Sequence, residues 1–204
     1  MESASSPTLY VFAGPNGAGK STLFSLLKQE DWLHSVEQVN GDVIYKDKPW
    51  LTQDELAAIV SERVQSLFSA HVSFSIESNL ATSASYNVLR SAQSKGYSVS
   101  LYYVCLGDAD QCRKRVVERV SKGGHDVPFS IIEHRYKNAL SLIKQHYALF
   151  DQINFIDNSA GTFTSVLRVE NGQVSHEPDK LPDWAAGIAK HIRLLERVRL
   201  KTQS

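Results

Sequence analysis

The chain carries few cysteines, no surplus of charge of either sign and no long apolar run. Each shortage closes off a class of protein. The two cysteines, Cys105 and Cys112, match neither the spacing of a zinc site nor that of a redox CxxC pair. They read as two thiols in a reducing cytosol. Lys plus Arg total 22 and Asp plus Glu total 22, a formal net charge of zero. Nothing in that balance calls for nucleic acid or a membrane surface as partner. No segment approaches the roughly 18 apolar residues of a membrane span. The opening Met1-Glu2-Ser3-Ala4-Ser5-Ser6-Pro7 lacks the basic and apolar regions of a signal peptide. The expected location is therefore cytoplasmic. There is no internal repeat or low-complexity stretch. A length of 204 residues suits one domain spanning 1–204, with residues 1–6 as a frayed tail.

What is present alternates. Short apolar runs are followed by helical patterns, the signature of an α/β domain. Thr8–Ala13 reads as a buried strand, Ser21–Gln29 as a helix, and Val36–Asn40 as a second strand. Thr52 to about Ala70 is a long helix, with Thr52 and Glu55 spaced as a capping box. Val72–Ile76 is a third strand, Ser83–Lys95 a helix stopped by Gly96, and Tyr97–Leu106 the longest strand. Asp108 can cap the next helix, and Ser130 with Glu133 a further one to about Tyr147. Gln152–Ile156 is a fifth strand. Asn171-Gly172 between Val166–Glu170 and Gln173–His176 predicts a hairpin with a type I′ turn. A last helix over 183–201 starts at Asp183. With the glycine-rich Gly14–Ser21 turn joining the first strand to the first helix, the expected fold is a three-layer α/β P-loop domain. Its five mainly parallel strands take the adenylate-kinase-like order 2-3-1-4-5, with a C-terminal hairpin added.

The strongest motif lies between the first strand and the first helix. Gly14-Pro15-Asn16-Gly17-Ala18-Gly19-Lys20-Ser21, followed by Thr22, matches G-x-x-x-x-G-K-[ST] at every required position. Its glycines let successive backbone N–H groups turn inward as an anion nest, at the positive end of the following helix. Lys20 would reach the β- and γ-phosphates of ATP, and Ser21 would offer its hydroxyl to Mg²⁺. The ten-residue string GPNGAGKSTL is also common in transporter ATPases, but no LSGGQ-like segment follows.

Two carboxylates are placed to join the phosphates. Asn40-Gly41-Asp42 closes the second strand, and Glu77-Ser78-Asn79 closes the third. Ligands of an open parallel sheet sit beyond the carboxyl ends of its strands. Asp42 is the expected base for an acceptor hydroxyl. Glu77 and Asn79 are expected on the acceptor side, Glu77 binding the acceptor or a metal-bound water. A basic helix follows with Arg115 and Arg119 on one face, then Gly123-Gly124. Residues 108–147 thus read as a lid that brings arginine to the transferring phosphoryl group, with Arg119 the first choice and Arg135 the second. Val116, Val117 and Val120 are expected to set the buried side of that helix. The loop His125 has no clear role.

GPNGAGKST, NGD, IES, ERV followed by GGHDVP, HRY and IDNS occur in that order, and in this combination the chain resembles the zeta-toxin family of P-loop kinases. The resemblance implies an ATP-dependent kinase of a small molecule. The family's best-known toxins phosphorylate the sugar 3′-hydroxyl of UDP-N-acetylglucosamine. It implies Lys20 and Ser21 as ATP·Mg²⁺ ligands, Asp42 as base, Glu77 as a substrate contact and Arg119 as a transition-state arginine. It also implies an adenine-side loop at Asn158 and an antitoxin partner. Those toxins read E-G-T with an arginine shortly after; this chain reads Glu77-Ser78-Asn79-Leu80-Ala81-Thr82, and its next arginine is Arg90. Another small metabolite (a nucleoside, a sugar or an antibiotic) therefore stands beside the UDP-sugar as acceptor. A nucleotide-gated binding module without transfer is a third reading.

Overall fold

The computed structural model describes residues 6–30, 33–124 and 126–202. The expected tail falls almost wholly, and His125 entirely, outside them. The chain opens with β1 (Thr8–Ala13), α1 (Lys20–Gln29), β2 (Glu37–Val39), α2 (Gly41–Asp47), α3 (Gln53–Ala70) and β3 (Phe74–Ser78). A 3₁₀ turn over Ser83–Tyr86 leads into α4 (Asn87–Ser94), β4 (Ser98–Cys105), α5 (Ala109–Ser121) and α6 (Phe129–Gln145). It ends with β5 (Gln152–Asp157), β6 (Thr164–Glu170), β7 (Gln173–His176) and α7 (Asp183–Thr202).

One sheet runs through the molecule in the order β2-β3-β1-β4-β5-β6-β7. The first five strands are parallel, in the expected 2-3-1-4-5 order. The antiparallel hairpin is the addition: β6 pairs with β5, so β7 becomes the far edge. Both edge strands are short. In the hairpin, Asn171 and Gly172 both take positive φ, 51° and 76°, as a type I′ turn requires.

Alternation along the strands sends side chains to two apolar layers. Leu9, Val11, Val99, Leu101, Tyr103 and Phe155 meet α3, α4 and α7 on one face. Phe12, Tyr102, Val104 and Ile156 meet α1 and α5 on the other. α6 serves both, with Ile132 in the second layer and Ala139 and Ile143 in the first. Trp184, Ile188 and Ile192 of α7 are buried on the sheet, while Leu195 is 37% exposed.

Local sequence explains the helix ends, with three corrections. Thr52 and Glu55 form the full capping box at α3, and the Asp108 carboxylate accepts from the Gln111 N–H at α5. Ser130 and Glu133 do not form a capping box, because α6 starts earlier, with Pro128 as N-cap. Proline's fixed φ and missing donor suit the entry to a helix. The helix expected over Ser83–Lys95 begins as a 3₁₀ turn. On α5 the buried residues are Cys112 and Val116, whereas Val117 is 58% and Val120 36% exposed. Four-residue spacing puts Cys112 and Val116 on the sheet side, Val117 turns away from it, and Val120 lies next to the helix end at Ser121.

Candidate active site

At the C-terminal edge of the parallel strands, the turn between β1 and α1 folds as a cradle. Gly14, Gly17 and Gly19 adopt φ of 136°, 81° and 104°, a region that side chains with a Cβ rarely enter. Close approach adds to this. A Cβ on Gly14 would lie 1.9 Å from the Val104 carbonyl oxygen, and one on Gly17 would lie 2.6 Å from that of Cys112. Sheet and α5 therefore press against the back of the turn. Ala18 is fully buried, and its N–H donates to the Pro15 carbonyl at 3.2 Å. Thr22, one residue past the hydroxyl of Ser21, is exposed.

Lys20 is the first residue of α1 and is buried. Its Nζ donates to the Gly14 carbonyl at 3.1 Å and the Pro15 carbonyl at 3.3 Å. It lies 3.5 Å from Asn79 Oδ1 and 3.7 Å from Glu77 Oε1. Burial pulls its pKa below the usual lysine value, since desolvation penalises the charged form. The negative charges of Glu77 and then Asp42 oppose that shift, and Arg135 and Arg119 add to it. Four charged groups from four elements thus act on one ammonium.

Glu77, near the end of β3, is the hub. Its Oε2 accepts from the Ser21 hydroxyl at 2.7 Å and from Asn40 Nδ2 at 2.8 Å. Asn40 in turn accepts the Asp42 N–H through Oδ1 at 2.9 Å. Asp42 does not lie at a strand end. The chain turns after β2, Asn40 caps α2, and Asp42 sits in the first turn with an exposed side chain. An N-cap asparagine followed by an acidic first-turn residue is a helix start, a signal in Asn40-Gly41-Asp42 that names Asn40 as the missed member of the site.

The α5–α6 segment reaches the cradle from the other side. Arg135 Nη1 donates to Asn16 Oδ1 at 2.7 Å, joining α6 to the phosphate turn. Arg119 is half-buried, and Gly124 packs against it, its N–H donating to the Arg119 carbonyl at 3.0 Å. Arg115, one turn earlier on the same face, donates to the Asn158 carbonyl at 2.6 Å. Asn158 Nδ2 donates to the Ala18 carbonyl at 2.8 Å, while its buried Oδ1 has no hydrogen-bond partner among the described residues. The loop after β5 is therefore stitched to the cradle. Arg115 is a second residue that sequence reasoning passed over; its four-residue offset from Arg119 was the available sign. Asp157 has a structural task, its carboxylate accepting from Trp184 Nε1 at 2.7 Å and from the Ser159 hydroxyl at 2.9 Å.

Six polar residues are buried among those described, and four of them (Asn16, Lys20, Asn40 and Asn158) belong to this one place. Buried polar groups are tolerated where they are paired or where function needs them. Among the described residues no cluster of three or more His, Cys, Asp or Glu could hold a metal unaided. The Ser21 hydroxyl and the Glu77 carboxylate are hard oxygen donors of the kind Mg²⁺ takes together with nucleotide phosphates and water.

Fold and cradle together define an α/β domain of the P-loop kinase type. The chain belongs to the Zeta toxin family, whose profile matches residues 1–175. An uncharacterised protein of Haemophilus influenzae is 26% identical over 130 residues, covering 61% of this chain and 89% of its own. A structure from the PezAT chromosomal toxin–antitoxin system of Streptococcus pneumoniae superposes with a TM-score of 0.64 at 17% identity, covering 98% of this chain and 88% of that one. A chain of the AvrRxo1-ORF1:-ORF2 complex with ATP superposes with a TM-score of 0.65 at 17% identity over 91% of this chain. This chain spans 63% of that one. Among the described residues no helix is long and apolar enough to cross a membrane.

Proposed function

We propose that this protein transfers the γ-phosphoryl group of ATP to a hydroxyl of a small molecule. The observation that carries the reading is the placement of Lys20 in the glycine cradle with two carboxylates acting on it, Glu77 and Asp42. Phosphoryl transfer needs positioned cations around the phosphates and a carboxylate beside the attacking oxygen. Lys20 would bind the β- and γ-phosphates with the N–H groups of Asn16, Gly17, Ala18 and Gly19, in the turn that Gly14 and Pro15 open. Ser21 and Glu77 would hold Mg²⁺, which supplies neutralising charge across the phosphates. Arg119 and Arg135 would stabilise charge developing on the γ-phosphoryl oxygens. Asp42 would accept the proton of the acceptor hydroxyl as its oxygen bonds to phosphorus and the bridging bond to ADP breaks. Residues 108–147 would act as the lid, and the Asn158 loop would border the adenine.

Family membership makes a UDP-N-acetyl sugar the first acceptor to try. The Ser78-Asn79-Leu80 segment favours a second reading, another small metabolite with a free hydroxyl. We place the protein in the cytoplasm, with an antitoxin as its partner; the PezAT toxin–antitoxin system among its structural neighbours supports that partner. A binding module that only hydrolyses ATP is the third reading, and the carboxylates around Lys20 count against it. One experiment separates all three. The protein is incubated with ATP, Mg²⁺ and either UDP-N-acetylglucosamine or a metabolite extract, and products are read by mass spectrometry with Lys20→Ala as control. A phosphorylated metabolite absent from the Lys20→Ala reaction supports the kinase. ATP consumed with only inorganic phosphate formed rejects it in favour of the binding module.

A further inference from the structure

Directly after the hub carboxylate the backbone is strained. Leu80 is fully buried and has φ of 48°. A left-handed conformation is unfavourable for a residue with a Cβ, and here no glycine relieves it. Two hydrogen bonds hold the turn. The Leu80 N–H donates to Ser78 Oγ at 3.1 Å, and the Tyr86 hydroxyl donates to the Leu80 carbonyl at 3.3 Å. Tyr86 is itself fully buried in the 3₁₀ turn, its ring against His146 and Phe150. Burial raises its phenol well above the ordinary value, so the hydroxyl stays protonated and donates.

The residue enclosed by these bonds is Asn79. Its Oδ1 lies 3.5 Å from Lys20 Nζ, and its Nδ2 makes no hydrogen bond to another described residue. Two N–H donors are therefore left for an oxygen of whatever binds beside the lysine. Strain held by its surroundings next to a site is the pattern of a pre-organised contact.

We propose that Leu80, locked left-handed by Ser78 and Tyr86, is a positioning device that aims Asn79 at the phosphoryl-transfer position. Asn79 is then the donor that selects an oxygen of the acceptor or of the moving phosphoryl group. Leu80 and Tyr86 are positioning residues that act through it. This rests on the kinase reading above for its chemistry, but its geometry can be tested separately.

The test uses the full chain and four variants. Tyr86→Phe keeps the ring and removes the hydroxyl. Leu80→Ile keeps the volume but puts a β-branch where φ is positive, which such residues avoid. Leu80→Met, unbranched at Cβ, is the rescue control. Asn79→Ala removes the aimed group. In nucleotide-free crystals, wild type and Leu80→Met should keep positive φ at position 80 and Asn79 beside Lys20. Tyr86→Phe and Leu80→Ile should lose both. With Mg²⁺·ATP and water as acceptor, Tyr86→Phe and Asn79→Ala should each slow turnover roughly three- to tenfold, and the double variant should be no slower than Asn79→Ala. The ATP dissociation constant should stay unchanged in Tyr86→Phe.

An unmoved Asn79 in Tyr86→Phe, or additive losses in the double variant, would overturn the proposal. Should wild type bind no ATP, the kinase reading fails, while the crystals still decide whether Tyr86 positions Asn79. Should turnover with water be too slow to measure, the crystals alone decide.

Discussion

The Ser21 hydroxyl donates a 2.7 Å hydrogen bond to a carboxylate 56 residues away, that of Glu77. The same carboxylate lies 3.7 Å from the Lys20 ammonium. The hydroxyl proposed for the metal and the lysine proposed for the phosphates thus share one acidic partner.

Replacing that partner by Glu77→Gln keeps size and hydrogen-bonding capacity but removes the charge. Binding of Mg²⁺·ATP should weaken more than binding of ATP without metal, because the amide is a poor Mg²⁺ partner. Isothermal calorimetry with and without Mg²⁺ reads the difference. An equal loss in both titrations would detach Glu77 from the metal.

Asp42→Asn should leave ATP affinity within about twofold and slow transfer to the acceptor by roughly 10²- to 10⁴-fold, the usual contribution of a general base. Its side chain is exposed and caps nothing, since Asn40 is the cap, so folding should be unaffected. Product formation by mass spectrometry, alongside calorimetry, checks both halves. Undiminished transfer would remove Asp42 from the base role.

Gly14→Ala and Gly19→Ala test the cradle. At Gly14 the new Cβ meets a sheet carbonyl oxygen at 1.9 Å; at Gly19 it meets Asn158 Nδ2 at 2.8 Å. The first is backbone and cannot yield, so Gly14→Ala should cost roughly 3 kcal/mol or more of stability. The second neighbour is a side-chain end, so Gly19→Ala should cost only about 1–2 kcal/mol, mainly for its φ. Urea unfolding gives both values, and equal losses would contradict the difference in neighbours.

Cys105 and Cys112 are buried, and burial pushes both thiols up to about 12. The thiolate is the reactive form, so neither should react with Ellman's reagent at pH 8 until the protein is denatured. The linkage has a sign as well. A thiol that ionises near 9 when unfolded but near 12 when folded holds its proton longer in the native state. Its contribution to stability is complete below pH ~9 and is lost as pH rises towards ~12. Replacing both with serine-free, apolar Ala should flatten the fall in melting temperature across that window.

Much of this arrangement could be read from the chain because local and long-range signals agreed. The phosphate turn is encoded by glycines that enter positive φ without a Cβ penalty, and the hairpin turn by Asn171-Gly172. The parallel order of β1 to β5 was expected as the adenylate-kinase-like arrangement, once the phosphate motif stood inside a strand–helix alternation. What escaped was decided by contact across the fold. Asn40 looked like the end of a strand until its amide was seen to tie the Asp42 N–H to Glu77. Arg115 and Arg119 share a helix face, and only the position of the Asn158 loop singles out Arg115 as its partner. Positive φ at Leu80 had no local sign, because leucine itself gives no reason for it. The early start of α6 was missed because Pro128 competed with a plausible but unused Ser130 cap.

The sheet ends in three residues on one side, Glu37–Val39, and four on the other, Gln173–His176. On the first side Glu37 is held by the Arg63 guanidinium through two hydrogen bonds. So little free main chain offers a poor template for adding a foreign strand. A polypeptide that recognises this molecule would have to read the relief and charge of its helices, so its specificity would rest on side chains that drift readily between related sequences.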